Sequence, residues 1–94
     1  MEPREPRLSA YARGYTKKWD RVAKYFRLRY PLCGMRANGQ APVMSQCYID
    51  QRDTPATQTD HVIPHRGDMR LFWDSTNWQS LCAPCGARKT QAGL

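Results

Sequence analysis

Four cysteines constrain this chain more than any other feature: Cys33, Cys47, and the pair in Cys82-Ala83-Pro84-Cys85. Ninety-four residues make one domain with a small core. Burial alone gives a core of that size a thin stability margin, so a covalent or metal staple is expected. Four cysteines can form two disulfides in any of three pairings, or they can hold a metal together. The opening Met1-Glu2-Pro3-Arg4-Glu5-Pro6-Arg7 is charged and has no apolar stretch, so no signal peptide is expected. No apolar run is long enough to span a membrane, and no membrane partner is expected. A reducing compartment then favours thiolates on a metal over disulfides.

The spacing agrees with zinc. Cys82 and Cys85 have the separation of two ligands of one tetrahedral ion, and Cys33 with Cys47 can complete a four-cysteine site. Leu32-Cys33-Gly34 reads as a metal knuckle, with the glycine allowing a tight turn around the ion. Thirteen residues separate Cys33 from Cys47, a loop that closes at modest entropic cost. A redox role for the Cys-x-x-Cys pair would call for a neighbouring βαβ pattern, and none is visible.

The rest of the chain divides by pattern. Residues 1–15 carry Pro3, Pro6 and several arginines and read as a flexible basic arm. Residues 16–94 are expected to form the single domain. From Thr16 to Tyr30 the pattern is helical: Thr16 can cap, Asp20 sits in the first turn, and Pro31 ends the run. Trp19, Val22, Ala23, Phe26 and Tyr30 make its apolar stripe, while Lys17, Lys18, Arg21, Lys24, Arg27 and Arg29 cover most of the remainder. Six cations on one short helix exceed what solubility requires, and with a formal charge of +7 they point to a polyanion. A solvated basic face is the plainer alternative. Residues 35–46 read as loop. Residues 57–63 read as a half-buried strand with Thr57, Thr59, His61 and Ile63 on one face and Gln58, Asp60 and Val62 on the other. A loop through Gly67, a helical turn at Leu71–Asp74, a strand from Asn77 to Leu81 and a helix from about Cys85 to Gln91 complete the chain.

Asp60-His61, then Asn77, then Cys82-x-x-Cys85, with Arg88-Lys89-Thr90 close behind, form an ordered series. This series resembles the HNH endonucleases, in particular their small phage-type branch. The resemblance covers roughly the C-terminal two thirds of the chain. It implies an α+β fold: a small ββα-metal domain stapled by a four-cysteine zinc site and preceded by the basic helix. It also implies a metal-dependent DNA endonuclease or nickase, encoded by a phage or prophage. In that reading His61 activates water, Asp60 binds a divalent ion (Mg²⁺, Mn²⁺ or Ni²⁺), and Asn77 braces the hairpin. Lys17, Lys18, Arg21, Lys24, Arg66, Arg88 and Lys89 would meet phosphate.

The series departs from the family at one place. A histidine that follows the last cysteine is the second ligand of the catalytic ion in the resembling proteins, and here that residue is Gly86. The chain is therefore expected to be impaired as a nuclease, whether by substitution or by natural degeneration, unless another residue, His65 the nearest, supplies the ligand. The alternative is a non-catalytic zinc-stapled DNA-binding module, or an accessory to phage DNA packaging with terminase subunits as partners. Either role places the protein in the cytoplasm of a bacterial host.

Overall fold

A computed structural model describes residues 15–93. All but the last residue of the expected basic arm lies outside them. The elements run helix α1 (Lys17–Arg29), a single turn α2 (Gln46–Ile49), strand β1 (Gln58–His61), α3 (Met69–Trp73), a 3-10 turn (Ser75–Asn77), strand β2 (Trp78–Leu81) and helix α4 (Ala83–Gln91). β1 and β2 form one antiparallel pair with Gln58 opposite Leu81 and His61 opposite Trp78. The order strand, loop, strand, helix is the ββα-metal arrangement of the HNH kind.

Local chemistry sets the boundaries. Thr16 caps α1 by accepting from the Trp19 N–H at 3.4 Å, and the helix stops before Pro31. β1 is shorter than its sequence pattern. It ends at His61 because the next backbone donors turn to Asn77: the Val62 N–H reaches its carbonyl at 2.7 Å, and the Ile63 N–H its Oδ1 at 2.8 Å. Asn77 correspondingly lies in the 3-10 turn instead of opening β2. α4 begins at Ala83, two residues earlier than the pattern gave, because Pro84 suits the first turn of a helix.

Two small cores result among the described residues. Trp19, Ala23, Phe26, Phe72 and Trp78 form an aromatic one under α1, with Val22, Tyr30, Ala37 and Trp73 packed around it. The other contains Cys33, Cys47, Cys82, Cys85 and a single aliphatic residue, Leu81.

The long segment between Cys33 and Cys47 is tied across β2. The Gly34 N–H donates to Ser80 O at 2.7 Å, and the Ser80 N–H to Met35 O at 3.0 Å. The Gln79 amide accepts from Val43 N at 2.9 Å and donates to Val43 O at 3.2 Å. Gly34 sits at φ +98°, where a side chain would be strained, and a Cβ there would meet Ser45 Oγ and Tyr48 Cβ at 2.9 Å. The segment then ends in α2, which the sequence pattern does not show. Ser45 caps this turn through Tyr48 N at 3.1 Å and sets Cys47 on its inner side.

Candidate active site and metal centre

The four cysteine sulfurs lie within 4.8 Å of one another, all buried and none in a disulfide. Cys47 Sγ is 3.8 Å from Cys82 Sγ and 4.0 Å from Cys85 Sγ. Sulfurs about 2.3 Å from one tetrahedral zinc sit roughly 3.8 Å apart. The cluster therefore fits a metal such as zinc. Burial pushes the Cys82 thiol up to about 12. Burial acts the same way on Cys85, but the Cys47 backbone, Cys82 and the Gln46 backbone more than offset it and bring the thiol to about 7. The first turn of α2 thus aims two N–H groups at a ligand sulfur.

The two faces of β1 serve different neighbours, as alternation requires. Thr59 and His61 face α1. Thr59 Oγ1 donates to Ala23 O at 2.8 Å and accepts from Arg27 at 3.0 Å. His61 is 5% exposed and stacks on Trp19 with ring centres 5.0 Å apart. Its Nε2 lies 2.9 Å from Phe72 O, a carbonyl that can only accept. That partner assigns the proton to Nε2 and leaves the Nδ1 lone pair as the basic atom. Burial lowers the His61 pKa below its ordinary 6.5, against the Phe72 hydrogen bond, which raises it. Asp60 and Lys89 are close enough to act on the same ring, the carboxylate raising and the ammonium lowering its proton affinity. His61 is therefore a neutral imidazole at neutral pH.

Gln58 and Asp60 face α4. Asp60 Oδ2 meets Lys89 Nζ at 3.1 Å, and the Lys89 side chain is only 3% exposed. Lys89 is the one predicted phosphate contact that the structure takes off the surface. Lys17, Lys18, Arg21 and Lys24 on α1 are exposed, as are Arg66 and Arg88. Gly86 is buried in the first turns of α4, directly against the end of the Gln58 side chain, which stands where a Cβ would go. The space that Gly86 leaves is thus filled by the flexible end of Gln58, which the sequence does not reveal. The face alternation of β1 puts Gln58 beside Asp60, but nothing in the sequence says that its amide would reach α4.

Asn77 is buried and ties the end of β1 to the 3-10 turn. Its Oδ1 accepts from Ile63 N, while its Nδ2 donates to Ile63 O at 3.0 Å and lies 3.5 Å from Leu71 O. His65 packs beside His61, ring centres 5.0 Å apart, with both nitrogens engaged. Nδ1 accepts from Gly67 N at 3.1 Å and Nε2 meets Tyr15 Oη at 3.1 Å.

The residues present do not fit a divalent ion at Asp60. Position 86 offers no ligand atom, His65 is occupied, and Asp60 already faces a cation. Among the described residues the four cysteines are the one group of three or more candidate ligands within mutual reach. None of the described helices is long and apolar enough to cross a membrane.

No protein-family model and no curated protein matches this chain. Among solved structures it is similar to that of the HNH endonuclease of the deep-sea thermophilic bacteriophage GVE2, crystallised with a manganese ion. The identity is 27%, over 89% of this chain and 80% of that one, with a TM-score of 0.64. This chain has the fold of that endonuclease.

Proposed function

We propose that this protein handles DNA as an HNH-type nuclease whose cleavage centre is impaired at Gly86. The observation that carries this reading is His61: a buried, neutral imidazole whose Nδ1 lone pair is uncommitted among the described residues, at the end of a β-strand in the fold of an HNH endonuclease. A base in that state can take a proton from water attacking a phosphodiester. Asp60 is the acidic group of the centre. Asn77 holds the loop after β1, so the imidazole keeps its place. Cys33, Cys47, Cys82 and Cys85 hold a structural zinc that pins the N-terminal half to the hairpin and α4. The exposed cations of α1, with Arg66 and Arg88, grip the DNA backbone, a contact that requires charge and no reading of bases.

The test combines binding with chemistry. The native protein should shift duplex DNA in a gel with steep salt dependence and little sequence preference. In a Gly86→His/Gln58→Ala protein supplied with Mg²⁺, Mn²⁺ or Ni²⁺, supercoiled plasmid should be nicked. A further His61→Ala change should abolish nicking while metal binding persists. Cleavage that survives the loss of His61 would remove the imidazole from its assigned role.

A second reading is a non-catalytic DNA-binding module, and the Asp60–Lys89 ion pair favours it. A native protein that binds DNA and never cuts it satisfies that reading, and nicking by the restored protein distinguishes the two histories. A terminase partner gains no support from the fold or from the comparison.

A further inference from the structure

Gly86 removes a ligand, but its neighbours do more than leave a gap. Gln58 and Asp60 are two residues apart on one face of β1, and Gly86 and Lys89 are three apart on one face of α4. The two faces meet. The Gln58 amide covers Gly86, and Lys89 reaches Asp60 Oδ2 at 3.1 Å. A lysine with 3% side-chain exposure does not serve solubility, and burying an ammonium is costly unless it is paired. Asp60 Oδ2 is likewise buried and takes no hydrogen bond within the described residues, so the Lys89 ammonium is its partner there.

We propose that Lys89 is a resident cation that occupies Asp60 in place of a divalent ion and, with Gln58, closes the centre to metal. The proposal rests on the reading of this fold as an impaired nuclease and names what holds the centre in that state. A tethered ammonium competes as if at high local concentration. A hydrated Mg²⁺ or Mn²⁺ gives up water reluctantly, and here it would gain a single carboxylate. A histidine supplied at position 86 would have to move the end of the Gln58 side chain aside.

The test is direct Mn²⁺ binding to the full-length, zinc-loaded protein, read from the free-ion signal in electron paramagnetic resonance. It needs no cleavage, so it stands or falls separately from the nuclease reading. The native protein, Lys89→Met, and Lys89→Met/Asp60→Asn are compared. Methionine keeps the unbranched apolar stem and removes the charge. Lys89→Met should bind Mn²⁺ at least tenfold more tightly than the native protein, and the double variant should return to the native level. Native binding tighter than that of the double variant would overturn the proposal, as would equal binding by the native protein and Lys89→Met. If Lys89→Met fails to fold, the native protein decides the matter by nuclear magnetic resonance. Selective broadening of the Asp60 and Gly86 amides by equimolar Mn²⁺ contradicts the proposal, and its absence supports it.

Discussion

Asp60 and Lys89 are an unequal pair, and their inequality is measurable. The Lys89 side chain is 3% exposed and that of Asp60 29%. Removing the carboxylate strands a buried ammonium, whereas removing the ammonium leaves a carboxylate that water can still reach. Leaving the buried member of such a pair without its partner costs roughly 3–5 kcal/mol. Asp60→Asn should therefore destabilise the fold by about that amount in urea titrations, and Lys89→Met by clearly less. Joining the two changes should recover most of the loss. Equal losses from both single variants would show that the pair is not buried as described.

His61 makes a prediction of the opposite kind, about protons. Its pKa in the folded protein lies below the ordinary 6.5, chiefly through burial. Below that pH the unfolded chain binds more protons than the folded one, so stability falls with acidification. This contribution is complete above about pH 6.5 and fades as the pH drops toward the folded value. Thiolates on a metal also take up protons in acid, so the native protein must be compared with His61→Gln. Urea midpoints at pH 7.5 and 5.5 should differ more in the native protein, and equal differences would mean that the imidazole is not held neutral by the fold.

At the scale of elements, α1 divides its work between two faces. Trp19, Ala23 and Phe26 are buried, and Lys17, Lys18, Arg21 and Lys24 are exposed. If three of these cations meet phosphate as proposed, removing them should flatten the plot of log affinity against log salt by up to about 2.7 units, at roughly 0.9 per contact. Replacing Lys17, Lys18 and Arg21 together by glutamine should show it in binding isotherms taken at several salt concentrations. An unchanged slope places DNA elsewhere on the surface.

The same helix shows why some of the fold was legible in the sequence. Its cap, apolar stripe and terminating proline are all local, and local signals survive in a sequence. The short turn α2 was not legible, because its one local signal is the Ser45 cap, and the packing of Cys47 against Cys82 and Cys85, far along the chain, holds it. The site divides in the same way. Alternation along β1 placed Asp60 and His61 on opposite faces, and the structure keeps them there. Lys89 read as a surface cation because only the packing of α4 on β1 reveals that it points inward. Gln58 carried no chemical signal at all, since its importance lies in the space over Gly86.

For the whole molecule, the proposed zinc staple is expected to carry much of the stability. One of the two cores consists of four cysteines and Leu81. Without an ion its sulfurs offer little apolar burial, and they join α2, β2 and the start of α4. Chelation should abolish the cooperative thermal transition, and added Zn²⁺ should restore it. A full transition in demonstrably metal-free protein, or a disulfide in the purified chain, would contradict this.

On the proposed reading, this nuclease fold is silenced at the point where α4 meets β1. Nicking of supercoiled plasmid by the native and Gly86→His/Gln58→Ala proteins, side by side with Mg²⁺, Mn²⁺ or Ni²⁺, tests it most directly. A second ligand beside Asp60, with the space cleared for it, should tip the carboxylate from Lys89 to the ion. The native protein should then leave the plasmid intact while the restored protein nicks it. A missing metal ligand can remove several kcal/mol of transition-state stabilisation, and at about 1.4 kcal/mol per tenfold the gap should exceed a hundredfold. Equal and robust nicking by both proteins would contradict the account, since the native centre would then be complete without a histidine at position 86.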